Sequence, residues 1–302
     1  MVILLDILFS DIATKKQIRE LVTSVQTFFE ASADLQFEDS DRSCEEMTPD
    51  WLKFERGMNS TLEIVAELTQ KCLHVDNKLD IKENGSLVSK MLEKGFEMDQ
   101  VLALVQDLII AAADTTSYST LWSFHLLAKH VDVQQKARTE VLNHSKNQTF
   151  SAQNFRYLRW CNKESMRLYP VAPFLTRLLD KPLELTKEWN ESVLKKDQLV
   201  LLSSYSMSRD CDNFENPETF CPERWKTQRN SFASLPFGHG ARKCIGMKMA
   251  ENQMVYFLAR LLENFQMQSE NQIEVNYKMK LIGMPDKPIK ISLFKQNKIQ
   301  TQ

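Results

Sequence analysis

The order of hydrophobic periods along this chain predicts a mainly helical α+β fold. Residues 1 to about 170 repeat their apolar positions at helical spacing, and from Val171 the period shifts toward two. Helices first and small β parts late is an α+β outline. Glycine supplies the third observation: seven occur in 302 residues, and three of them fall between positions 238 and 246. That crowding marks a loop whose backbone must take φ > 0 or approach another group closely. No linker or low-complexity tract interrupts the chain, so one domain over 1–302 is expected. Its parts are helical over 1–170, mixed strand and loop over 171–236, a loop and helix over 237–265, and a β-hairpin over 271–295.

Met1–Ile12 is strongly apolar but carries Asp6, and reads as the middle of a buried helix. It is too short for a membrane span and lacks the basic flank of a signal peptide, so no targeting segment is expected in this chain. Apolar repeats then predict helices over Lys15–Phe29, Met47–Cys72, Asp99–His130, Val133–Asn143 and Asn154–Leu168. The third belongs to a Pro- and Gly-free run from Glu97 to His130, which would span roughly 50 Å as one helix. Leu183–Leu185 and Leu199–Ser206 read as short strands, followed by an irregular path through Pro217, Pro222 and Pro236. Near the end, Ile273, Val275, Tyr277, Met279 and Leu281 alternate, as do Ile289, Ile291 and Leu293. Gly283 and Pro285 lie between the two runs, the pattern of a hairpin.

The glycine cluster reads Phe237-Gly238-His239-Gly240-Ala241-Arg242-Lys243-Cys244-Ile245-Gly246. Cys244 opens an apolar helical pattern through Ile245, Met249, Met254 and Leu258, which places its sulfur at a helix N-terminus. Backbone N–H groups and the helix dipole there favour a thiolate. A glycine-lined thiolate beside a cation, Arg242, suits a haem iron held by cysteine.

The phrase F-G-x-G-x-R-x-C-x-G resembles the haem-binding loop of the cytochrome P450 family. Upstream, Glu164-Ser165-Met166-Arg167 fits that family's E-x-x-R, followed by Tyr169-Pro170 and by Pro222-Glu223-Arg224-Trp225. Alone, an acid and a base at i, i+3 are usually a solvated surface pair. In this order the resemblance implies a buried network of Glu164, Arg167 and Arg224 whose role is structural. Ala111-Ala112-Ala113-Asp114-Thr115-Thr116 matches the family's acid–alcohol pair, which implies that Asp114 and Thr115 deliver protons. The bland reading of Thr115 is a hydroxyl bonded back to the Ala111 carbonyl. Ala112 stands where the family usually has Gly, which narrows the groove expected there.

Further roles follow only from the resemblance. Phe237, Gly238, Arg177, Arg242, Cys244 and Gly246 would hold haem b, with Cys244 as the iron ligand and Arg177 and Arg242 on the propionates. Val105, Leu108, Ile109, Ala112 and Ala113, with Phe174, Leu175, Ile282 and Met284, would line a pocket for a lipophilic substrate, a steroid among the candidates. Plain core packing is the competing account of each. The PERW segment and the ending Pro285-Asp286-Lys287-Pro288-Ile289 look like the animal mitochondrial branch. That branch implies the mitochondrial inner membrane, matrix side, and an acidic ferredoxin-type electron donor docking on Arg159, Lys163, Lys243 and Lys248. The alternatives are the endoplasmic reticulum and a flavin reductase. Met247 departs from the branch, which usually has a second Arg there, and a solvated helix face is the plainer reading of the patch.

The resemblance covers nearly the whole chain, while the family's anchor, first strands and W-x-x-x-R helix would all precede Met1. The activity implied is insertion of one oxygen atom from O₂, with a haem-binding fragment lacking turnover as the alternative. A net charge of −2 gives no drive toward nucleic acid, and leaves peripheral membrane association to local features. Six cysteines without a C-x-x-C pair argue against a zinc site or a disulfide framework.

Overall fold

The computed structural model describes residues 1–10, 12–35, 48–79, 85–145, 151–185, 192–227 and 230–296. Two compact units divide it, Met1–Thr116 and Ser117–Gln302.

The first unit is helical. Helix α1 (Val2–Phe9) buries Leu4, Leu5, Leu8 and Phe9 but leaves Val2, Ile3 and Ile7 about half exposed, so only one face of this apolar segment is core. Helices α2 (Lys15–Leu35) and α3 (Pro49–Leu79) form an extensive pair. Both run longer than the periodicity predicts, by six residues at the end of α2 and seven at the end of α3. Met47, the predicted start of α3, lies outside the described residues. Gly57 lets the two backbones cross: a Cβ there would stand 2.8 Å from the Phe28 nitrogen and 2.9 Å from the Ser24 carbonyl oxygen. Leu21 and Val25 of α2 and Val65, Leu68 and Cys72 of α3 are fully buried. Helix α4 (Leu87–Glu93) was not expected; its N-cap Ser86 accepts a bond from the Ser89 N–H. Helix α5 (Met98–Lys129) matches the predicted long helix and runs through the division at 116–117.

The second unit is mixed. Helix α6 (Val131–Ser145), a 3-10 turn (Ala152–Asn154) and α7 (Arg156–Leu168) lead into strand β1 (Phe174–Leu178). Strands β2 (Leu183–Glu184) and β3 (Val193–Leu194) pair antiparallel, and β4 (Leu199–Ser203) pairs with β1. The predicted strand to Ser206 stops at Ser203, because Ser204–Met207 turns into a short helix, α8, capped by the Ser203 hydroxyl. Helix α9 (Met247–Asn264) packs on α6 and α7. The core joins Phe155, Leu158 and Cys161 to Val141, Val255, Leu258 and Leu262.

The C-terminal hairpin is paired differently from the sequence expectation. Strand β6 (Tyr277–Met279) folds back onto β7 (Gly283–Pro285), so Gly283 and Pro285 lie within a strand and not in the turn. Gly283 is required there because a Cβ would come within 2.5 Å of the Pro170 carbonyl oxygen. Strand β8 (Ile291–Lys295) pairs instead with β5 (Phe265–Ser269), which follows α9 without a break. The buried Gln134 side chain holds β5 in place. Its Nε2 donates to the Leu127 and Met267 carbonyls at 2.8 and 2.9 Å, and its Oε1 accepts from the Met267 N–H at 2.9 Å.

One buried ion network ties α7 to the irregular path after α8. Glu164 and Arg167 are both 0% exposed. Arg167 Nη2 and Nε donate to the two oxygens of Glu164 at 2.8 and 3.0 Å. Arg167 Nη1 donates to the carbonyls of Ser208 and Pro217 at 2.7 and 2.6 Å. Arg224 Nε, Trp225 Nε1 and the Cys221 N–H also donate to Glu164, at 2.8, 2.9 and 3.1 Å. Arg224 donates further to the carbonyls of Glu215, Asn216 and Thr219. The Phe214 ring lies 4.9 Å from the Arg167 guanidinium. Removing one partner of such a network strands the others in a medium that cannot solvate them, a loss of about 3–5 kcal/mol. Glu164→Ala should therefore lower unfolding free energy by about that much, and Trp225→Phe by about 1.5–3 kcal/mol, the weight of one hydrogen bond to a charge. Urea unfolding followed by circular dichroism measures both. A Glu164→Ala variant as stable as the parent would contradict the network's structural role.

Candidate functional site

The cysteine loop is shaped by backbone. Gly238 and Gly240 take φ values of 70° and 80°, in the left-handed region open to glycine. The Gly238 N–H donates to the Leu235 carbonyl at 3.0 Å and the Lys243 N–H to the Gly240 carbonyl at 3.1 Å. The Cys244 N–H donates to the Phe237 carbonyl at 2.9 Å, which closes the loop. The thiol faces outward: Cys244 is exposed, and Ile245 beside it is 91% exposed. The Cys244 sulfur lies 3.9 Å from where a Gly246 Cβ would stand, an ordinary contact distance, so the sulfur and Gly246 are neighbours in the loop.

Cys244 does not open the following helix as the periodicity suggests. Helix α9 begins at Met247 with Gly246 as N-cap, and Cys244 precedes that cap by two residues. Lys243 and Arg242 are exposed on the same loop.

Strand β1 brings a third cation toward this loop. Its exposure alternates, so Leu175 and Arg177 share the less exposed face. Leu175 Cδ2 stands 3.9 Å from the position of a Gly238 Cβ, which turns that face to the loop. Arg177 Nη1 donates to its neighbour's carbonyl, Thr176, at 2.7 Å. Phe174, on the other face, is exposed. In β7 and the turn before it, Ile282 is buried and Met284 partly so. Cys244, Arg177, Arg242, Phe237, Phe174, Leu175, Ile282 and Met284 all belong to the second unit.

The residues singled out on α5 belong to the first unit. Val105 and Ile109 are fully buried, Ala113 is nearly so, and Leu108 and Ala112 are partly exposed. Asp114 is buried, and burial holds its carboxyl above the ordinary range, with Glu30 adding in the same direction. Thr115 Oγ1 donates to the Ala111 carbonyl at 2.7 Å, the back-bonded arrangement available to any mid-helix threonine.

The cations expected at a partner face divide between two helices and the loop. Arg159 and Lys163 lie one turn apart on α7. Arg159 pairs with Glu251 of α9 at 3.4 Å, and the Lys163 ammonium sits 4.5 Å from the centre of the Trp225 ring. Lys248 is exposed on α9, three residues before Glu251 and so on the same side of that helix. Two participants escape sequence reasoning. Trp225 is a ligand of the buried Glu164, signalled only by an indole N–H next to Arg224, and Asn162 is an amide buried on α7 without a hydrogen-bond partner.

The raised Asp114 pKa has a definite sign. The folded state prefers the neutral acid, so ionisation costs stability as pH rises above the ordinary 3.8. Asp114→Asn should raise the urea midpoint at neutral pH, with the gain fading as pH falls toward 3.8. An equal midpoint for both proteins at neutral pH would remove the burial argument.

Comparison with known proteins bears on this geometry. The family described as Cytochrome P450 matches residues 5–293. Cytochrome P450 315a1, mitochondrial, of Drosophila melanogaster is 32% identical over 81% of this chain and 46% of its own length. The cholesterol side-chain cleavage enzyme, mitochondrial, of Oncorhynchus mykiss is 33% identical over 74% of this chain and 44% of its own. Cytochrome P450 11B2, mitochondrial, of Rattus norvegicus is 31% identical over 74% and 45%. The chain thus spans about half the length of the curated relatives it matches. With the family match running nearly end to end, and the Cys244 loop and the Glu164–Arg167–Arg224 network in the order that match requires, the chain belongs to the cytochrome P450 family, in its animal mitochondrial branch.

Proposed function

We propose that the protein is a haem-thiolate monooxygenase acting on a lipophilic substrate of the steroid class. The observation that carries this reading is the exposed Cys244 thiol on a loop whose backbone, not its side chains, sets its shape. The residues fit haem b, the family's cofactor. One soft donor faces outward, Ile245 and Phe232 offer exposed apolar contacts nearby in sequence, and Arg242 and Arg177 supply cations. Haem b, when bound, supplies oxygen activation: one atom of O₂ enters a C–H bond and the other leaves as water, with two electrons from a donor and two protons.

The chain's own residues do the rest. Cys244 Sγ would be the iron ligand, its thiolate supplying electron density to the metal. Arg177 and Arg242 would hold the propionates by charge-assisted bonds, with Phe237, Gly238 and Gly246 forming the loop around the sulfur. The Asp114 carboxyl, whose pKa burial raises, would exchange protons with the Thr115 hydroxyl once that hydroxyl releases the Ala111 carbonyl. Val105, Ile109, Ala112, Ala113, Phe174, Leu175, Ile282 and Met284 are assigned to substrate contact on the family pattern. The steroid class is supported by the trout relative, whose name specifies cholesterol.

Electrons would come from a ferredoxin-type donor at Arg159, Lys163, Lys243 and Lys248, and the site of action would be the matrix side of the mitochondrial inner membrane. The mitochondrial names of the relatives support that compartment.

Two measurements test the reading. After reconstitution with haem and reduction under carbon monoxide, the protein should give a thiolate-type Soret band, and Cys244→His should convert it to an imidazole type. A thiolate band surviving in Cys244→Ala would overturn the ligand. Arg159→Glu combined with Lys163→Glu should slow ferredoxin-supported reduction at least tenfold with haem content unchanged. The parent's rate should fall steeply with salt, since exposed pairs are screened over about 8–10 Å. Reduction independent of salt would argue against the docking patch.

A further inference from the structure

We propose that the groove between α7 and α9 binds a small amphipathic organic anion, with its head group on Asn162 and its apolar body on the groove floor. The groove has a volume of about 410 Å³. That falls within the range of about 300–1,000 Å³ typical of small-molecule sites. Its floor is apolar, formed by Met166 of α7 with Met254 and Val255 of α9.

Asn162 is the informative member. It lines the groove and is 3% exposed, and neither its Oδ1 nor its Nδ2 has a hydrogen-bond partner. Buried polar atoms are ordinarily paired, and a primary amide offers two donors and an acceptor. A carboxylate head group accepts from the Asn162 Nδ2 N–H, the donor that burial leaves unpaired. Asn162 and Met166 are four residues apart on α7, so the amide and the apolar floor adjoin along one face.

Charge selects the anion. Three cations, Arg156, Arg159 and Lys163, stand against one carboxylate, Glu251, among the lining residues. Glu251 is engaged by Arg159 at 3.4 Å. Arg156 and Lys163 are held over indole rings, Trp160 at 4.8 Å and Trp225 at 4.5 Å, so the rim is set before any ligand arrives. A guanidinium stacked by its face keeps its N–H edge for a carboxylate. An ion with a purely polar body leaves the methionine floor uncovered, and a neutral lipid leaves the cations unmatched; a medium-chain carboxylate meets both.

This inference stands on the groove alone and needs no electron donor. Because Arg159 and Lys163 would serve both, a bound anion and an acidic donor would exclude each other, which makes the groove a point of control over electron supply.

The experiment is a titration of the full chain, carrying ¹³C-methyl methionine, with decanoate below its micelle concentration. Met166→Leu and Met254→Leu assign the two floor resonances. Saturable shifts should be confined to Met166 and Met254, with decanol at least about tenfold weaker. Asn162→Leu should weaken decanoate binding by about tenfold or more. Should that variant fail to fold, Asn162→Asp, the same size with a repelling charge, should give the same loss. Shifts spread evenly over the other methionines, no shift at millimolar decanoate, or undiminished affinity in the folded Asn162 variant would each overturn the proposal.

Discussion

Glu164 is the point on which the second unit depends. A carboxyl group with no exposure has lost all its water, and two guanidiniums, an indole and a backbone N–H take that water's place. The same guanidiniums collect the carbonyls of Ser208, Glu215, Asn216, Pro217 and Thr219 along a stretch that has no strand ladder. The irregular path from Ser208 to Trp225 thus takes its order from charge, where a helix or strand would take it from a ladder. The cysteine loop follows that path, so its placement rests on the same interaction.

The loop itself works by the opposite means. Among the described residues no charged group holds Cys244; two left-handed glycines and a bond from its N–H to Phe237 do. A thiol fixed by backbone can stay exposed, whereas a thiol fixed by packing is buried, as Cys161 is. Burial pushes the Cys161 thiol well up, toward the inert form. The two cysteines show how one residue type is made available or silenced by its surroundings.

Much of this was legible in the order of residues. The loop phrase is contiguous, so every part of it is visible at once, and the long helices carry unbroken periods. Glu164, Arg167 and Arg224 could be proposed as partners because their motifs are spaced in a recognisable order, and the structure brings all three together. What was not legible depends on contacts far apart in sequence. The pairing of β5 with β8 is supported by Gln134, more than a hundred residues upstream of β5, and Phe265–Ser269 follows a helix with no breaker between. Gly283 looked like a turn residue because its reason, the approach of Pro170, is tertiary. Asn162 carries no local signal; a single amide on a helix is uninformative until its burial is known.

The Gln134 side chain has an effect beyond anchoring. In β5 the outward N–H and C=O of Met267, the middle residue of five, are both taken by one primary amide, which stands where a neighbouring strand's peptide would be. A two-stranded sheet ordinarily offers its free edges as templates for another chain. Here the edge is already occupied at its centre by a group that cannot propagate, so a strand arriving from a second molecule finds no continuous ladder to extend. A glutamine on a helix therefore blocks this edge of the β5–β8 sheet against edge-to-edge pairing.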